Sequence, residues 1–462
     1  MRILLVAYDN DSYISWFPQG LAYLAAVCLK AGHEVEIYNQ DVYHWPESHL
    51  NDLLNKERYD FIGVSACGGY YQYRKVLKIS AAINNSKFRP FYVLGGHLAA
   101  PEPEYFLHKT QADAVVIGEG EITIINLLEA LEHKKSLHSV NGIAFLENGQ
   151  CIQTPRQALI KDIDTIPLPA WDLFPIDHYA LLRLPNIKNS DRCMPVLSGR
   201  GCTFKCNFCY RMDQGFRGRS ADSIVEEIKI LKKDYAISYI AFSDELLMSS
   251  AQRTVELCQS FIKNKLDIRW DCNGRLNYAK PDVLKLMQAA GCVFINYGIE
   301  SMDEEALRNM NKSLTVKQIV SGIENTLAAG ISPGYNIIFG NIGETAESLQ
   351  LGVEFLLKYD DHSQMRTIRP VTPYPGSPLY NYAIEKGLLQ DCADFYEYKH
   401  LNSDLMTVNF TDLSDDEFYR LLYEANHKLL LNYYAAQIDN TNEVLHILYI
   451  EKDCVFRGFR QS

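Results

Sequence analysis

SGRGCTFKCNFCYR, residues 198–211, contains three of the chain's cysteines within eight positions. It sets Cys202, Cys206 and Cys209 in a CxxxCxxC array directly behind the apolar run 194–197, which predicts a buried strand. Three thiols so close in sequence can converge on one soft metal centre, because thiolates select zinc, copper or iron–sulfur clusters. Zinc sites and ordinary cubane clusters take four protein ligands, and no fourth Cys or His stands at metal-site spacing nearby. A four-iron cluster with three thiolate ligands would keep one iron open, an arrangement typical of catalysis.

The array, with Phe208 just before its last cysteine, resembles the signature of the radical S-adenosylmethionine (SAM) superfamily. In that family the open iron binds the amino and carboxylate groups of SAM, and one electron cleaves SAM to a 5'-deoxyadenosyl radical. The resemblance implies that the three cysteines are catalytic metal ligands and that Phe208 lies against SAM. The alternative is a zinc knuckle, which needs Cys193 or a distant His as fourth ligand and explains none of the surrounding pattern.

Length, composition and charge exclude several function classes. The 462 residues suffice for two or three domains, and 47% hydrophobic with 22% charged residues is typical of a soluble globular protein. The net charge of -12 disfavours nucleic-acid binding, which needs clustered Lys and Arg. Most of the twelve Cys lie scattered among apolar residues, so we expect buried thiols in a reducing cytosol and a cytoplasmic protein. No apolar segment reaches the roughly 18 residues of a membrane span, and the N-terminal residues predict a strand, not a leader.

Residues 1–140 are predicted to form a doubly wound, Rossmann-like α/β domain, because runs of strand length alternate with helical patterns. Strand candidates are 3–8, 34–38, 60–65, 91–94 and 114–117, and helix candidates are 20–31, 73–84, 103–109 and 121–133. Ligands of such sheets lie at the carboxyl ends of the strands, so the loops after these strands are the candidate binding loops. None contains GxGxxG or a GKS or GKT phosphate loop, which leaves a nucleotide site without support.

Four blocks of this first domain resemble the cobalamin-binding domain of one branch of the radical SAM superfamily. They are FPQGLAYLAAVCLKAGHEVEI (17–37), DFIGVSACGGYY (60–71), VLGGHLAAPEPE (93–104) and AVVIGEGE (114–121). The resemblance implies a crevice that binds cobalamin through Gln19, Gly20, Ser65, Tyr70, Gly95, Gly96, His97, Gly118, Glu119 and Gly120. Paired glycines in these loops would let a large flat ligand approach the backbone closely.

Several of these residues keep a second interpretation. The chain lacks the DxHxxG motif by which methionine-synthase-like domains supply a histidine to cobalt, so we expect His97 to form hydrogen bonds within its loop. Tyr70, Tyr71 and Gln72 either cover the lower face of cobalt or pack together as an exposed loop. Glu119 also suits a strand end followed by a first helical turn, because acidic residues favour a helix N-terminus.

Residues 141–190 are predicted to be a linker to a second series of βα units, residues 191–380. The linker begins with a hairpin that turns at Asn148-Gly149, followed by the proline-rich connector 162–175, whose Trp171 and Phe174 should hold it on a domain surface. In the second series, strand candidates are 194–197, 239–242, 268–271, 293–298, 335–339 and 364–371, and helix candidates are 221–235, 251–264, 281–290, 316–329 and 345–358. These repeats resemble the partial (β/α)6 barrel of radical SAM enzymes, whose chemistry gathers at the carboxyl ends of the strands.

The strand ends of this barrel carry the predicted SAM site. SAM has an ammonium, a carboxylate, a sulfonium and two ribose hydroxyls, so its site needs carboxylates, backbone groups and a basic residue. Beyond Phe208, the resemblance implies contacts from Ser243, Asp244 and Glu245 to the amine, from Arg275 to the carboxylate, and from Glu300, Ser301, Gly340 and Glu344 to the remaining portions. Other interpretations remain open: an Asp-Glu pair commonly caps a helix, Glu300 would suit a salt bridge inside the barrel, and Arg308 and Lys312 would suit solvent.

The end of the chain is less informative. RPVTPYPGSPLY (369–380) predicts a rigid rim that either walls the substrate cavity or forms a simple exit turn. Residues 381–462 predict a small, mainly helical region, with a helix over 413–436 and a strand over 444–450, which caps the barrel or forms an oligomer contact.

The family resemblance implies an enzyme that methylates an unactivated carbon of a small-molecule or lipid-like substrate through methylcobalamin. Its electron donor would be a flavodoxin or ferredoxin. One alternative is a non-methylating reaction, such as the ring closure of the anaerobic magnesium-protoporphyrin monomethyl ester cyclase. Another is a non-catalytic cobalamin or iron–sulfur binding protein. Methylthiolation of transfer RNA is disfavoured, because those enzymes carry a second N-terminal cysteine triad and only Cys28 and Cys67 lie in the first domain.

Overall fold

The computed structural model describes residues 1–13, 15–212 and 215–460 of the chain. Its first part is a seven-stranded sheet in the order β2-β1-β3-β4-β5-β6-β7, with β1 to β5 parallel and β6 and β7 antiparallel. The strands are β1 Arg2–Ala7, β2 Glu34–Asn39, β3 Phe61–Ser65, β4 Phe91–Gly95, β5 Ala114–Val116, β6 Ile143–Glu147 and β7 Gln150–Gln153. The helices are α1 Gln19–Lys30, α2 Gln40–Tyr43, α3 Glu47–Lys56, α4 Tyr70–Asn84, α5 Pro103–Thr110 and α6 Gly120–Glu132.

Both faces of this sheet are buried, which explains why its strands are almost continuously apolar. In β1, Ile3 and Leu5 join one buried cluster, whereas Leu4 and Val6 join another on the opposite face. The strand order reverses between β1 and β3, and ligands of such sheets bind at the carboxyl ends of the strands at that point. The predicted doubly wound fold is confirmed. The pattern missed α3, because Leu50 and Leu54 are its only buried residues.

The predicted hairpin is confirmed, but it is not part of a linker. β6 pairs with β5, so the hairpin adds two strands to the first sheet. Asn148 and Gly149 have φ values of 52° and 80°, the left-handed conformation that tight hairpin turns require. The local pattern predicts a hairpin without indicating the strand beside which it lies.

The connector after the hairpin packs onto the first domain, as expected. It contains the short helix α7 Ile176–Tyr179 and single turns at Ile163–Thr165 and Trp171–Leu173. The ring of Phe174 meets that of Phe17 edge-on, 5.0 Å between centroids, and the Ala170 N–H donates to the Ala22 carbonyl at 3.1 Å. Trp171 and Phe174 belong to a core cluster that runs on into the second sheet, so the two sheets share one hydrophobic core.

The second sheet has six parallel strands in the order β15-β14-β13-β12-β11-β8, which confirms the partial barrel. They are β8 Cys193–Val196, β11 Tyr239–Phe242, β12 Arg269–Gly274, β13 Cys292–Glu300, β14 Ser332–Phe339 and β15 Arg369–Pro370; β9 Gly199–Arg200 and β10 Arg217–Gly218 form a separate antiparallel pair. The helices are α8 Ala221–Tyr235, α9 Ala251–Lys263, α10 Pro281–Ala289, α11 Glu304–Asn309, α12 Val316–Ala328 and α13 Ala346–Tyr359. The sixth strand is far shorter than the eight residues predicted for it.

The described part of the C-terminal region consists of helices and loops, without a strand, and it contacts both domains. It comprises α14 Pro378–Glu385, π-helical turns at Asp394–Lys399 and Ile447–Glu451, the long helix α15 Asp415–His446, and a last turn Gly458–Arg460. Phe418 of α15 stacks on Phe339 at the end of β14, 4.8 Å between centroids, and Tyr396 stacks on Tyr73 of α4 at 4.6 Å. The strand predicted at 444–450 is wrong, because a short apolar run fits a helix end equally well. No helix among the described residues is both long and apolar enough to cross a membrane.

Candidate active site

The three cysteines lie in the loop that follows β8, at the carboxyl end of the half barrel. The β9–β10 pair closes the base of this loop, with Arg200 opposite Arg217. The base is tight: Gly201 has a φ of 82°, and a Cβ there would overlap the carbonyl oxygen of Gly215. The pairing therefore fixes where the cysteine loop leaves and re-enters the barrel.

Two of the three thiols contact each other. Cys206 and Cys209 share a side-chain hydrogen bond, which lowers the pKa of Cys206 to about 6 and raises the pKa of Cys209. Burial opposes the change in the pKa of Cys206, whereas the positive charges of Lys312 and Arg275 add to it. Burial raises the pKa of Cys202. The pair thus favours a thiolate on Cys206, the form that binds metals.

The donor set fits an iron–sulfur cluster. It consists of three soft sulfur atoms, with the cations of Arg275 and Lys312 close enough to stabilise thiolate charge. Within the described residues, no three His, Cys, Asp or Glu side chains are arranged to hold a single metal ion. A cubane cluster does not need that arrangement, because each thiolate binds a different iron atom.

Two amides tie the cysteine loop to the end of β14. The side chains of Asn207 and Asn341 exchange hydrogen bonds at 3.0 Å in both directions, and Asn341 is fully buried. The Asn207 N–H also donates to the Met310 carbonyl at 2.9 Å, and the Leu379 N–H donates to the Asn207 carbonyl at 2.8 Å. Sequence analysis missed both asparagines. Asn207 stands inside the CxxxCxxC array, but only the fold reveals its partner.

Arg275 lies beside the cysteine loop, as predicted for a residue that follows β12. Its guanidinium covers the ring of Phe204, 3.3 Å from Cζ to the centroid, and donates to the carbonyls of Lys312 and Ser313. Its Nε is buried without a hydrogen-bond partner among the described residues. A fixed cation with a free donor suits a carboxylate.

Asp244 is only partly committed to the protein. Its Oδ1 accepts hydrogen bonds from the backbone N–H groups of Ser198, at 2.8 Å, and Gly199, which fixes the start of the cysteine loop to the end of β11. Burial raises the pKa of Asp244 to about 6, although these hydrogen bonds act against it. The Ser198 side chain also lowers the pKa of Asp244, but it makes no hydrogen bond of regular geometry to Oδ2, which is buried with no such partner in the described part of the chain. An ammonium group would satisfy this oxygen.

Glu300 is a salt-bridge partner inside the barrel, one of its two predicted roles. Lys312 Nζ lies 2.8 Å from Glu300 Oε1, and both side chains are less than one-tenth exposed. Glu300 has a φ of 69° at an irregularity in the β13–β14 pairing, which turns its carboxylate toward Lys312. The expectation that Lys312 is solvated is therefore wrong, because the fold brings a buried carboxylate to it. Arg308 is exposed, as expected.

The end of β14 carries a buried polar cluster. Glu344 accepts hydrogen bonds from the Asn341 N–H at 2.9 Å and from the hydroxyl of Ser301, and burial raises its pKa to about 7. Gly340, predicted to lie along SAM, has a φ of 95°, and a Cβ there would lie 2.7 Å from the ring of Phe418. Packing of α15 accounts for this glycine without any ligand.

The glycine turns of the first sheet differ in what they admit. Gly118 has a φ of 96°, and no atom from a distant residue lies within 4 Å of the position where a Cβ would stand. Gly95 has only Val116 nearby, at 3.8 Å. At Gly96, in contrast, a Cβ would meet the carbonyl oxygen of Ala66 and the hydroxyl of Ser65. Gly95 and Gly118 therefore border open space that a ligand can approach, whereas Gly96 serves the packing of two loops.

Gln19 and Ser243, predicted to bind different cofactors, bind each other. Ser243 Oγ donates to Gln19 Oε1 at 2.7 Å, and Gln19 Nε2 donates to the Pro195 carbonyl at 3.4 Å. This pair joins α1 of the first domain to strands of the half barrel. The Gln19 side chain is therefore engaged at the domain interface instead of facing the crevice. Gly20 follows it in the first turn of α1, and Tyr70 begins α4.

Glu119 is likewise engaged with the half barrel. Its carboxylate lies 2.9 Å from guanidinium nitrogens of both Arg200 and Arg217. Burial would raise the pKa of Glu119, but the hydrogen bonds from Arg217 and Arg200 outweigh it and lower the pKa. The prediction that Glu119 contacts cobalamin did not anticipate this pairing, because both arginines lie in the second series of βα units, on β9 and β10. Gly120 begins α6 beside Leu24.

The crevice and the cysteine loop face each other across one gap. The ring of His97 meets the ring of Tyr210, which follows Cys209, edge-on at 5.6 Å between centroids. His97 and Cys67 have exposed side chains, yet burial lowers the pKa of His97 and raises that of Cys67. Solvent therefore reaches both side chains although protein surrounds them. The proline-rich rim borders this gap, because a Cβ on Gly376 would meet both Tyr210 and Pro101.

A row of asparagines crosses the face of the half-barrel sheet that the helices leave uncovered. Asn336 Nδ2 donates to Asn296 Oδ1 at 3.1 Å, Asn296 Nδ2 donates to Asn273 Oδ1 at 3.1 Å, and Asn273 Nδ2 donates to the Asp244 carbonyl at 2.8 Å. A backbone carbonyl can only accept, which fixes the direction of the whole row. The exposed end therefore presents the Oδ1 of Asn336, a hydrogen-bond acceptor. The scattered asparagines gave no signal in the sequence.

Comparison with known proteins gives the same two-part organisation. The model of the B12 binding domain matches residues 8–128, and that of the Radical SAM superfamily matches residues 196–356. An uncharacterized methyltransferase of Pyrococcus horikoshii is 31% identical over 435 residues, which cover 92% of each protein. An anaerobic magnesium-protoporphyrin IX monomethyl ester cyclase of Rubrivivax gelatinosus is 28% identical, over 83% of this chain and 69% of its own.

Solved structures share the fold. The radical SAM methyltransferase TsrM from Kitasatospora setae, with cobalamin and a [4Fe-4S] cluster bound, has a TM-score of 0.67 at 17% identity, over 83% of this chain and 75% of that one. The cobalamin-dependent SAM radical enzyme OxsB, with aqua-cobalamin bound, has the same score at 20% identity, over 83% of this chain and 55% of that one. With a relative of 31% identity along nearly its whole length, the chain belongs to the cobalamin-binding radical SAM enzyme family.

Proposed function

We propose that this enzyme methylates an unactivated carbon of a small-molecule substrate, with a [4Fe–4S] cluster, SAM and cobalamin as cofactors. The observation that carries the proposal is the contact of His97 with Tyr210. Through this contact, the glycine turns of the first sheet and the cysteine loop of the half barrel border the same gap. A substrate in that gap would lie between the two cofactor sites. Relatives named as methyltransferases, including the Pyrococcus horikoshii protein and a hopanoid C-3 methylase of Methylococcus capsulatus, support methyl transfer.

The protein's proposed task is to position these cofactors, which when bound supply the radical from SAM and the methyl group from cobalamin. Cys202, Cys206 and Cys209 are the proposed cluster ligands. Two buried atoms without partners, Arg275 Nε and Asp244 Oδ2, match the carboxylate and the ammonium of SAM. One donor and one acceptor at the end of adjacent strands β12 and β11 would orient the amino-acid end of SAM toward the cysteine loop.

The remaining predicted contacts keep their proposed roles with the exceptions described above. For SAM these are Phe208, Ser243, Glu245, Ser301 and Glu344, and for cobalamin Gly20, Ser65, Tyr70, Gly95, His97, Gly118 and Gly120, whereas the carboxylate of Glu300 is engaged by Lys312. Asn207 and Asn341 would keep the cysteine loop fixed while SAM binds. The proline-rich rim would exclude water from the gap.

The uncovered face of the half barrel favours a substrate with a polar group. The free Oδ1 of Asn336 accepts hydrogen bonds, so it suits an N–H or O–H of the substrate. A lipid-like substrate would therefore need an N–H or O–H group to donate to Asn336. A flavodoxin or ferredoxin is the proposed source of the electron.

The proposal is tested with enzyme reconstituted anaerobically with iron, sulfide and cobalamin, then supplied with a reductant and SAM labelled with a trideuterated methyl group. We expect 5'-deoxyadenosine, together with label transfer to a polar small molecule supplied as substrate. Absence of 5'-deoxyadenosine from an enzyme that holds its full complement of iron and sulfide would contradict the proposal.

Ring closure is the second candidate function. The specific observation in its favour is the Rubrivivax gelatinosus cyclase, which matches 83% of this chain. Product mass distinguishes the two reactions: ring closure would yield 5'-deoxyadenosine with no deuterated methyl group in the product.

A further inference from the structure

We propose that Glu119 is a positioning residue that fixes the cysteine loop relative to the glycine turns of the first sheet. The inference rests on the proposed function for the identity of the cofactors at these two places. Glu119 follows Gly118 directly, at the end of β5 where the first sheet borders the gap. One short segment therefore both shapes the crevice and reaches across to the other sheet.

The geometry of the contact is specific. Arg217 donates from Nη1 to Glu119 Oε2 and from Nη2 to Oε1, both at 2.9 Å, which is a two-pronged pairing of guanidinium and carboxylate. Arg200 donates to the same Oε1 at 2.9 Å, and its other nitrogen donates to Glu121 at 2.5 Å. A two-pronged pairing fixes both the distance and the relative orientation of its partners.

The two arginines stand at both ends of the cysteine loop. Arg200 lies on β9 just before Cys202, Arg217 lies on β10 just after the loop, and the two residues are paired in the β9–β10 ladder. A single carboxylate therefore holds the loop at its entry and at its exit. A contact at one end alone would leave the loop free to tilt.

The half barrel already holds the base of this loop from its own side. Arg253 of α9 donates to the carbonyls of Ser198 and Arg219, one on each arm, and Asp244 accepts from the N–H of Ser198. The loop base is thus rigid within the half barrel. Glu119 links this rigid base to the first sheet, in addition to the Gln19–Ser243 pair and the hydrophobic core that the two sheets share.

The burial of the Glu119 ion pairs indicates that they position the cysteine loop more than they stabilise the fold. Side-chain exposure is 11% for Glu119, 17% for Arg200 and 16% for Arg217. Ion pairs this buried contribute little net stability, since the loss of hydration offsets their attraction, but they select one geometry. When Glu119 is lost, Arg200 keeps its pairing with Glu121 and Arg217 keeps its hydrogen bond to the Ile160 carbonyl. We therefore expect this loss to alter the cofactor geometry more than the assembly of either cofactor site.

The test uses the full-length enzyme loaded with cluster and cob(II)alamin, in wild-type form and as Glu119→Gln, Glu119→Asp and Arg217→Met. Glu397→Gln is the matched control, because Glu397 forms another contact between separate regions, with Lys109 at 2.6 Å, remote from the cysteine loop. Iron, sulfide and cobalamin contents are measured first. The magnetic coupling between the reduced cluster and cob(II)alamin is then measured by pulsed electron paramagnetic resonance.

We expect Glu119→Gln and Arg217→Met to load both cofactors at wild-type levels but to show a broader, shifted distribution of cluster-to-cobalt distances. Glu119→Asp should recover part of the wild-type distribution, and Glu397→Gln all of it. 5'-Deoxyadenosine formation depends on the half barrel alone, so its rate should stay within about threefold of wild type. A changed position of the half barrel relative to the first sheet does not displace the groups that take part in this step.

Two results would overturn the inference without touching the proposed function. One is a wild-type distance distribution in both Glu119→Gln and Arg217→Met. The other is loss of cobalamin from Glu119→Gln but not from Arg217→Met, which would make Glu119 a cobalamin contact. A wild-type enzyme that binds neither cofactor would instead refute the proposed function, and the inference with it.

Discussion

The carboxyl edges of the two sheets meet at one gap, yet they are built from opposite kinds of residue. The edge of the first sheet consists of turns such as those at Gly95 and Gly118, which leave open space. The edge of the half barrel is crowded with buried charged groups, including Asp244, Arg275 and Lys312. Shape and backbone contacts can hold a large, rigid ligand, whereas a small charged ligand needs individually placed charges. The edge of the first sheet is therefore suited to a large, rigid ligand, and the edge of the half barrel to a small, charged one.

The change with the largest expected effect should abolish the chemistry of the half-barrel edge and leave ligand binding at the first sheet's edge intact. Cys206→Ala removes one of three proposed cluster ligands, so it should abolish 5'-deoxyadenosine formation and the signal of the reduced cluster. Cobalamin uptake, measured by absorbance after gel filtration, should stay near wild type because the crevice belongs to the other sheet. Retained SAM cleavage would refute the cluster assignment.

A second change breaks the charged edge. Lys312→Met leaves the buried carboxylate of Glu300 without its partner, which should lower the free energy of unfolding by about 3–5 kcal/mol in urea titrations. The double variant Lys312→Met/Glu300→Gln should recover most of that loss, since no unpaired charge remains. Equal stability of the single and double variants would contradict the pairing.

A third change breaks the glycine edge. Gly118→Val forces a branched side chain into the left-handed region, at a cost of about 1–2 kcal/mol, and fills the open space of the crevice. Cobalamin affinity should fall by at least about tenfold, because the new side chain occupies space that the ligand needs, while the cluster still forms. Gly149→Val is the matched control: Gly149 has a φ of 80° and open surroundings but lies in the distant hairpin turn. The same loss of affinity in both variants would show that strain, and not the crevice, is responsible.

The smallest effect concerns pH. The pKa of folded Glu344 is about 7, above its ordinary value of 4.5, because the carboxyl is buried. The folded protein therefore retains a proton that the unfolded chain releases, so its stability should fall as pH rises from 4.5 to 7. Glu344→Gln should flatten this decline in urea midpoints, whereas Glu347→Gln, at an exposed position of α13, should not. The decline should not vanish, because burial also raises the pKa of Asp244 to about 6.

Much of the fold was predictable, because its signals are local. Strand-length apolar runs that alternate with helical patterns predicted both parallel sheets, and Asn148-Gly149 predicted the hairpin turn. The errors lie where a local pattern is ambiguous. The apolar run at 444–450 fits a strand and a helix end alike, and α3 has too few buried residues to reveal its period.

The sequence predicted which residues lie in the candidate site better than it predicted which residues they contact. The spacing of Cys202, Cys206 and Cys209 is contained in a few consecutive positions, and the resemblance to a known family followed from it. No local pattern could indicate that Glu119 would reach Arg217, that Gln19 would bind Ser243, or that Lys312 would be buried. Each of these contacts joins distant parts of the chain.

The cysteine array, the alternation of strands and helices, and the glycine turns follow from the sequence alone, since each depends on neighbouring residues and on backbone conformation. In contrast, packing of the two sheets sets which carboxylates remain available to a ligand and which are engaged by arginine or lysine. A buried charge must find its partner wherever the packed sheets place one, and that place is set by the fold and not by distance along the chain.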